Sequence, residues 1–575
     1  MPSRTASLLS CLLVAGSTGF IYDFSIYSGA LKQQFHFSQS QLDWIATSGA
    51  FTFFVSPISG HFVDTFGPRP GVLIAGTCMT IGLTLQYLFS RQYIFTRYSQ
   101  DATSAMAILC ACACLTTIGA NCAASVAFSS PVKLFPQHRG RVTGIVKAFA
   151  GLSGGLLAQM YTLSVGLPSK QPETLSFLLY LAGACLFLNI VVSPWLFPVG
   201  KLPVQNSPEH NVRARLQQGY GVVLLLIVSI FVCSLLTAVP ALPHSSNSSG
   251  HPPHPAPNAT AAAAAIIATQ SPAAIVAIGM FLVMMLAVGV AVSFSFSFSC
   301  SSWRSCRSTT TTTTIRATSQ RKEQENARPN QLHHLLLQPD DFSSNDVQVK
   351  DVGTCTMLST VDFWLVLTAG MSAVGGGYMI TTNSYQIVQS SLINGASADT
   401  AISMFSACQG LSRMIGGVGP ETIGANRGDA AAQWRPLFLA GFCLVMVMGH
   451  FLLWFGPRTG NMALLYAGYC LAGVGFGGVW PLMVTISADC WGLTHLGANY
   501  MVFDGSTALV GSLVMGKLLP QAVYVANGGG KNHGGCLGAG CFGNAHLVLT
   551  AVNLVGAVAA GVLWLRRRRV LCEER

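Results

Sequence analysis

The stretch GHFVDTFGPRP, from Gly60 to Pro70, decides how this chain is read. It lies between two apolar segments and has the form GxxxDxxGxR, with Gly60, Asp64, Gly67 and Arg69 at the spaced positions. An acid and a base confined to so short a connector mark a boundary between two spans rather than part of a soluble surface.

Composition fixes the class to which those spans belong. Only 9% of residues are charged, against about a quarter in soluble domains, while 51% are hydrophobic and mean hydropathy is +0.51. This is the composition of an all-α integral membrane protein. A hydrocarbon core of about 30 Å needs roughly 20 apolar residues per helix. Read in those units, the chain has fourteen candidate spans, near 9–30, 44–64, 70–90, 104–130, 142–166, 174–198, 219–242, 271–298, 361–390, 398–420, 436–456, 462–487, 497–520 and 546–565.

Lys and Arg collect on the cytoplasmic side of membrane proteins. Placing the amino terminus inside puts Lys133, Arg139, Arg141, Arg213, Arg215 and Arg566 to Arg569 on that side and leaves few, such as Lys32, Arg91 and Lys531, outside. The net charge of +11 is then a matter of topology, and no nucleic-acid partner is implied. Both sequons, at Asn247 and Asn258, fall in the loop at 243–270 that this arrangement places outside, so both are candidate glycosylation sites. A cleaved secretory signal is not expected, because the first apolar stretch runs on to the length of a span.

The spans divide into six, an extra two, a polar linker and six more. The expected organisation is an amino-terminal bundle over 1–198, two extra spans with an outer loop over 199–300, a disordered Ser/Thr-rich cytoplasmic linker over 301–355, a second bundle over 356–566 and a cytoplasmic tail over 567–575. An offset of 357 residues superposes His138 on His495, Gly140 on Gly497 and Lys147 on Asp504, as an internal repeat of a transporter would. Most of the 18 Cys lie inside spans, where they pack as small apolar residues. The exceptions are Cys536 and Cys541, flanked by His533 and His546; that set could bind a metal or close a small disulfide loop.

Beyond the loop, three segments resemble the nodulin-like branch of the major facilitator superfamily: IYDFSIYSGALKQQFHFSQSQLDWI from Ile21 to Ile45, GLSRMIGGVGPE from Gly410 to Glu421, and GVGFGGVWPLMVTISADCWGLTHLGANYMVF from Gly473 to Phe503. The resemblance departs at Ala488-Asp489 and at Asp504, and about 243–355 matches no known pattern. It implies two six-helix bundles, with about two extra spans here, that rock about one central site. Relatives include proteins resembling monocarboxylate transporters, and some members of the branch are implicated in iron movement.

An acid in the hydrocarbon core is costly and should face a partner or a cavity. Two acids meet that description. Asp23 lies about 10 Å from the outer end of the first span at 1.5 Å per residue, and Asp504 a similar distance from the cytoplasmic end of the thirteenth. Each is a candidate for proton coupling or cation binding; in the resembled fold both helices line the cavity. That fold also sets Asp64 against the start of the thirteenth helix, where Arg69 could pair with Asp504 as a gate latch. Arg413 and Glu421, with Lys147, would make the mirror-image latch; alternatively Arg413 reaches a substrate anion. Asn383 and Tyr385 are substrate-site candidates, because Gly375 to Gly377 before them could unwind the helix, although small residues equally allow close helix packing. His450, a lone histidine near a span end, carries no assigned role.

There is no GxxxxGKS/T, HExxH or GxSxG motif, so neither an ATP-driven pump nor a membrane hydrolase is expected, and no cofactor is implied. The expected partners are the bilayer and a small solute or ion, with the chain monomeric, in the plasma membrane or an endomembrane, and both termini cytoplasmic. Two deep acids without a deep Arg tilt the solute toward cations or proton-coupled neutral molecules. The alternative is a membrane sensor that signals through the Ser/Thr-rich linker.

Overall fold

In a bilayer every backbone N–H and C=O must be bonded within the protein, and a single apolar segment of about 20 residues meets that requirement by itself as a helix. The computed structural model describes residues 4–165, 174–197, 213, 216–228, 351–428, 430–528 and 536–573, and over these the secondary structure is all helical. Among the described residues, eight helices are long and apolar enough to cross a membrane: Pro68–Ser90, Ala102–Leu134, Ser176–Trp195, Val361–Ser390, Ala431–Thr459, Met462–Trp491, Leu496–Ala526 and Gly540–Arg569.

The remaining helical runs contain breaks or buried polar groups. The first comprises α1 (Arg4–Ser17), a 3-10 turn over Thr18–Asp23, and α2 (Phe24–Phe35). It therefore passes the expected end at residue 30, and Asp23 ends the 3-10 turn that interrupts it. The second comprises α3 (Gln39–Ser48), a 3-10 turn over Gly49–Phe54, and α4 (Val55–Phe66). Then follow α5 (Pro68–Ser90), α6 (Ala102–Leu134), α7 (Arg139–Val165), α8 (Ser176–Leu186) and a shorter apolar helix, α9 (Leu216–Val228).

The later part of the chain contributes α10 (Thr354–Leu358), α11 (Val361–Ser390), α12 (Ala398–Arg427), α13 (Ala431–Thr459), α14 (Met462–Trp491) and α15 (Leu496–Leu509). A π-helical stretch, Val510–Leu518, joins α15 to α16 (Leu519–Ala526), and α17 (Gly540–Glu573) follows. The second extra span at 271–298, the sequons Asn247 and Asn258, and His533 lie outside the described residues, as does the linker up to 350. The linker's last residues are ordered, contrary to expectation. Asp351 accepts hydrogen bonds from the Thr494 backbone N–H and hydroxyl, Val352 N–H donates to Trp491 O, and α10 begins at Thr354.

Packing is densest within each part of the chain, α5 with α6 in the first and α13 with α14, α12 with α14 and α13 with α17 in the second. The parts are joined most extensively by α7 with α12 and α4 with α15. Both pairs pack on glycine. A Cβ on Gly60 would stand 2.3 Å from Gly497 O, and one on Gly417 2.4 Å from Gly140 O. Helices approach this closely only where side chains are missing.

Candidate functional site

Asp64 and Glu421 sit in equivalent places on these two joints. Asp64 accepts from the backbone N–H groups of Gly497 (3.0 Å) and Ala498 (2.8 Å), at the first turn of α15, and pairs with Lys133 at 2.7 Å. Glu421 accepts from Gly140 N–H (2.6 Å) and Arg141 N–H (3.3 Å), at the first turn of α7, and pairs with Arg141 at 3.2 Å. In each case a carboxylate from one part of the chain neutralises the positive end of a helix from the other. The 357-residue offset relates the two joints, carrying Gly60 onto Gly417 and Asp64 onto Glu421 as well as Gly140 onto Gly497.

The second joint is more heavily charged. Arg435, buried, bonds Asp489 and lies 3.8 Å from Glu421, while Arg139 of α7 pairs with Asp489 at 3.0 Å. Arg567 of α17 donates to Asp489 O, so the carboxyl end of α17 reaches this layer and its amino end lies at the other face. Asp489, Lys133, Arg139, Arg141 and Arg435 were not assigned to the latch from sequence. Asp489 stood where the family pattern departs, and the others stood among ordinary loop charges.

One helical step deeper, the two parts meet again through side chains. Lys147 of α7 donates to Tyr500 Oη at 2.5 Å, Tyr500 Oη donates to Asp504 Oδ1 at 2.5 Å, and the Lys147 ammonium lies 3.5 Å from Asp504. The ammonium is 3.4 Å from the Phe128 ring centroid and 4.9 Å from those of Trp480 and Tyr500, the separation at which a cation is held by ring faces. Arg413 of α12 lies alongside, its Nη1 donating to Lys147 O at 2.7 Å and its Nη2 to Gln409 Oε1 at 3.2 Å. Lys147 is 4% exposed and Arg413 3%. Among the described residues no carboxylate pairs with Arg413, and Asp504 pairs with Lys147 alone, so the two buried cations have one acid between them.

Several expectations require correction. Arg69 does not pair with Asp504; its guanidinium donates to Leu196 O (2.7 Å) and Pro194 O (3.0 Å), tying α5 to the end of the α8 run. Arg413 does not pair with Glu421, which the helix N-terminus, Arg141 and Arg435 already occupy. The helix runs unbroken through Gly375 to Gly377. The irregular backbone is instead the π-helical stretch on the neighbouring helix, where Gly516 O accepts from Thr382 and from Asn383 Nδ2. That bond and a second to Met379 O occupy the Asn383 amide, and Tyr385 is 64% exposed. Gly67 has φ 90°, a conformation that suits glycine, and links α4 to α5.

Asp23 is 3% exposed, and its Oδ2 has no hydrogen-bond partner among the described residues. Cys536 and Cys541 form a disulfide, so neither offers a thiolate to a metal. His546 faces His450, with the Nδ1 atoms 3.1 Å apart. No three His, Cys, Asp or Glu side chains among the described residues come together as a metal site.

The family model described as "Nodulin-like" matches residues 4–254, and that described as "NFD4, C-terminal domain" matches 346–572. Protein NUCLEAR FUSION DEFECTIVE 4 of Arabidopsis thaliana is 22% identical over 573 residues, covering 98% of this chain and 88% of that protein. The chain is nodulin-like, and its fold is that of the major facilitator superfamily. Its fold resembles that of the proton:xylose symporter XylE bound to 6-bromo-6-deoxy-D-glucose, with a TM-score of 0.52 at 11% identity, covering 96% of this chain and 95% of that one. This nodulin-like chain is thus an integral, multi-pass membrane protein whose two family-matched segments meet at the Asp64 and Glu421 joints.

Proposed function

We propose that this nodulin-like protein is a secondary active transporter that moves a small organic anion, of monocarboxylate type, by alternating access. Two six-helix bundles, over 1–198 and 356–566, would rock against each other. The two extra spans over 199–300, the cytoplasmic linker over 301–355 and the tail over 567–575 would flank them. The carrying observation is that Lys147 and Arg413, buried side by side on helices of the two parts, have a single acid, Asp504, which pairs with Lys147. A buried charge needs a partner, and a carboxylate supplies the one this cluster lacks. These deep cations outweigh the tilt toward cationic solutes that Asp23 and Asp504 suggested.

The chain Lys147–Tyr500–Asp504 supports proton coupling. A proton taken up by Asp504 removes the charge that holds Lys147, leaving the ammonium for the entering anion; Asp23 is a second candidate for the proton. Asp64 with Gly60, Gly67 and Arg69, and Glu421 with its arginines, would act as latches and frame on one face. The disulfide near the start of α17 suits an oxidising outer face, and supports placing the latches, both termini and the basic tail on the cytoplasmic side.

The test is thermal stability of the detergent-purified protein against monocarboxylates, amino acids and ferrous, ferric and zinc ions, in wild type and Lys147→Gln. A solute at a hundred times its dissociation constant adds about 2.7 kcal/mol. A monocarboxylate should stabilise wild type and lose its effect in the variant. Stabilisation by a metal ion that persists in Lys147→Gln would contradict this reading.

A further inference from the structure

Two histidines from different helices meet inside the carboxyl-terminal part, away from the Lys147 cluster. His450 of α13 and His546 of α17 are 0% and 1% exposed, with Nδ1 atoms 3.1 Å apart. At that distance one Nδ1–H donates and the other Nδ1 accepts, so the rings hold opposite tautomers. The donor ring has a bare Nε2, and the acceptor ring carries Nε2–H. Both Nε2 atoms are buried without a hydrogen-bond partner among the described residues. Orphaned buried polar atoms are costly to keep, and here there are two at opposite ends of one hydrogen-bonded unit.

Those ends lead to different places. His546 lines a small cavity with Ser390, Ser391, Gly543 and the loop residues Gly538 and Ala539, beside the disulfide. His450 Nε2 lies against Gly376, where a Cβ would stand 2.5 Å away, and close to Asn553, whose Oδ1 is likewise buried and unpartnered. Glycine at 376 thus makes the room the imidazole occupies, which is a role for the glycine cluster that helix unwinding does not supply.

We propose that the His450–His546 pair is a proton-transfer site, linking the cavity at the disulfide face to the interior beside Gly376 and Asn553. A proton from water in the cavity binds the bare Nε2 of His546. The Nδ1 proton of His546 passes to Nδ1 of His450, and the Nε2 proton of His450 leaves to water admitted on the interior side. One proton enters and one leaves, no charge remains, and the tautomers exchange. Reversal or rotation of the rings resets the pair.

The surroundings bring little competing charge. Arg458 of α13, stacked on Trp454 and close to Gly543, is a charged group on this side of the pair. The other titratable groups on the packed helices include Tyr378 and Tyr385 of α11, Cys443 of α13, Tyr466, Tyr469 and Cys470 of α14, and Tyr524 of α16. Asp362, Arg435, Asp489 and Arg566 stand about 20 Å or more along their helices at 1.5 Å per residue. The arrangement therefore favours passing a proton on over storing it.

The full chain in liposomes loaded with a pH-reporting dye, under an imposed potassium diffusion potential, reads proton flux directly. Wild type should exceed protein-free vesicles, and His450→Gln and His546→Gln should each cut the flux at least tenfold. Equal flux in the variants, or none above background in wild type, overturns the proposal. Should either variant fold poorly, 15N spectra of histidine-labelled wild type decide. A nitrogen–nitrogen coupling across the shared hydrogen bond is expected, and two rings without it overturn the proposal.

Discussion

Lys147 holds the two parts of the molecule together at a single atom. Its ammonium bonds Tyr500, faces Asp504 and rests on aromatic rings, so removing the acid leaves a cation with nothing but dipoles and ring faces around it. Breaking a buried pair from one side costs about 3–5 kcal/mol. Asp504→Asn is therefore expected to lower unfolding stability by that order, and Lys147→Gln combined with it should recover part of the loss. A double-mutant cycle measures the coupling, and additive losses would mean that the pair does not interact. Gly60 tests the neighbouring joint of α4 with α15 through packing. Gly60→Ala places a methyl against the Gly497 carbonyl, so α4 and α15 must part, at a cost of about 1–3 kcal/mol as for other overpacked sites. Gly29→Ala, where nothing lies within 4 Å, is the control that should leave the thermal midpoint unchanged.

At the scale of helices, the two joints form a matched set: an acid at the end of α4 caps α15, and an acid near the end of α12 caps α7. Such an acid at a helix N-terminus contributes about 0.3–2 kcal/mol, depending on burial. Asp64→Asn should loosen one joint and Glu421→Gln the other. Hydrogen exchange is expected to rise first at the amino ends of α15 and α7 respectively; a rise confined to the mutated helix itself would contradict the capping role. Much of this set was legible in the chain, because the 357-residue offset already paired Gly140 with Gly497 and Lys147 with Asp504. Extending it to Gly60 with Gly417 and Asp64 with Glu421 needed only the same arithmetic. What the sequence could not reveal was pairing without periodicity. Arg435 and Asp489 meet because α13 and α14 happen to align, and His450 and His546 meet across 96 residues. Sequence also pointed to the wrong helix break: three glycines in a row remained helical because Met515, His450 and Phe476 fill the space beside them.

For the whole molecule, the two faces are tied with unequal strength. The face carrying Asp64 and Glu421 is joined by backbone packing, capped helices and ion pairs. At the other face α3 and the π-helical stretch meet where the Lys517 ammonium lies 3.8 Å from the Trp44 ring centroid. A contact of that kind is worth about 0.5–2 kcal/mol, so the molecule should open first at the face of the disulfide. The central claim is that the latched face opens in turn when its acids lose their hold. It is tested most directly by electron-spin distances between labels placed through an unnatural amino acid at the exposed positions Gln137 and Ala425, in nanodiscs, for wild type and for Asp64→Asn with Glu421→Gln. The account predicts a short distance dominating in wild type and a second, longer population growing in the double variant. A single unchanged distance in both proteins would contradict it.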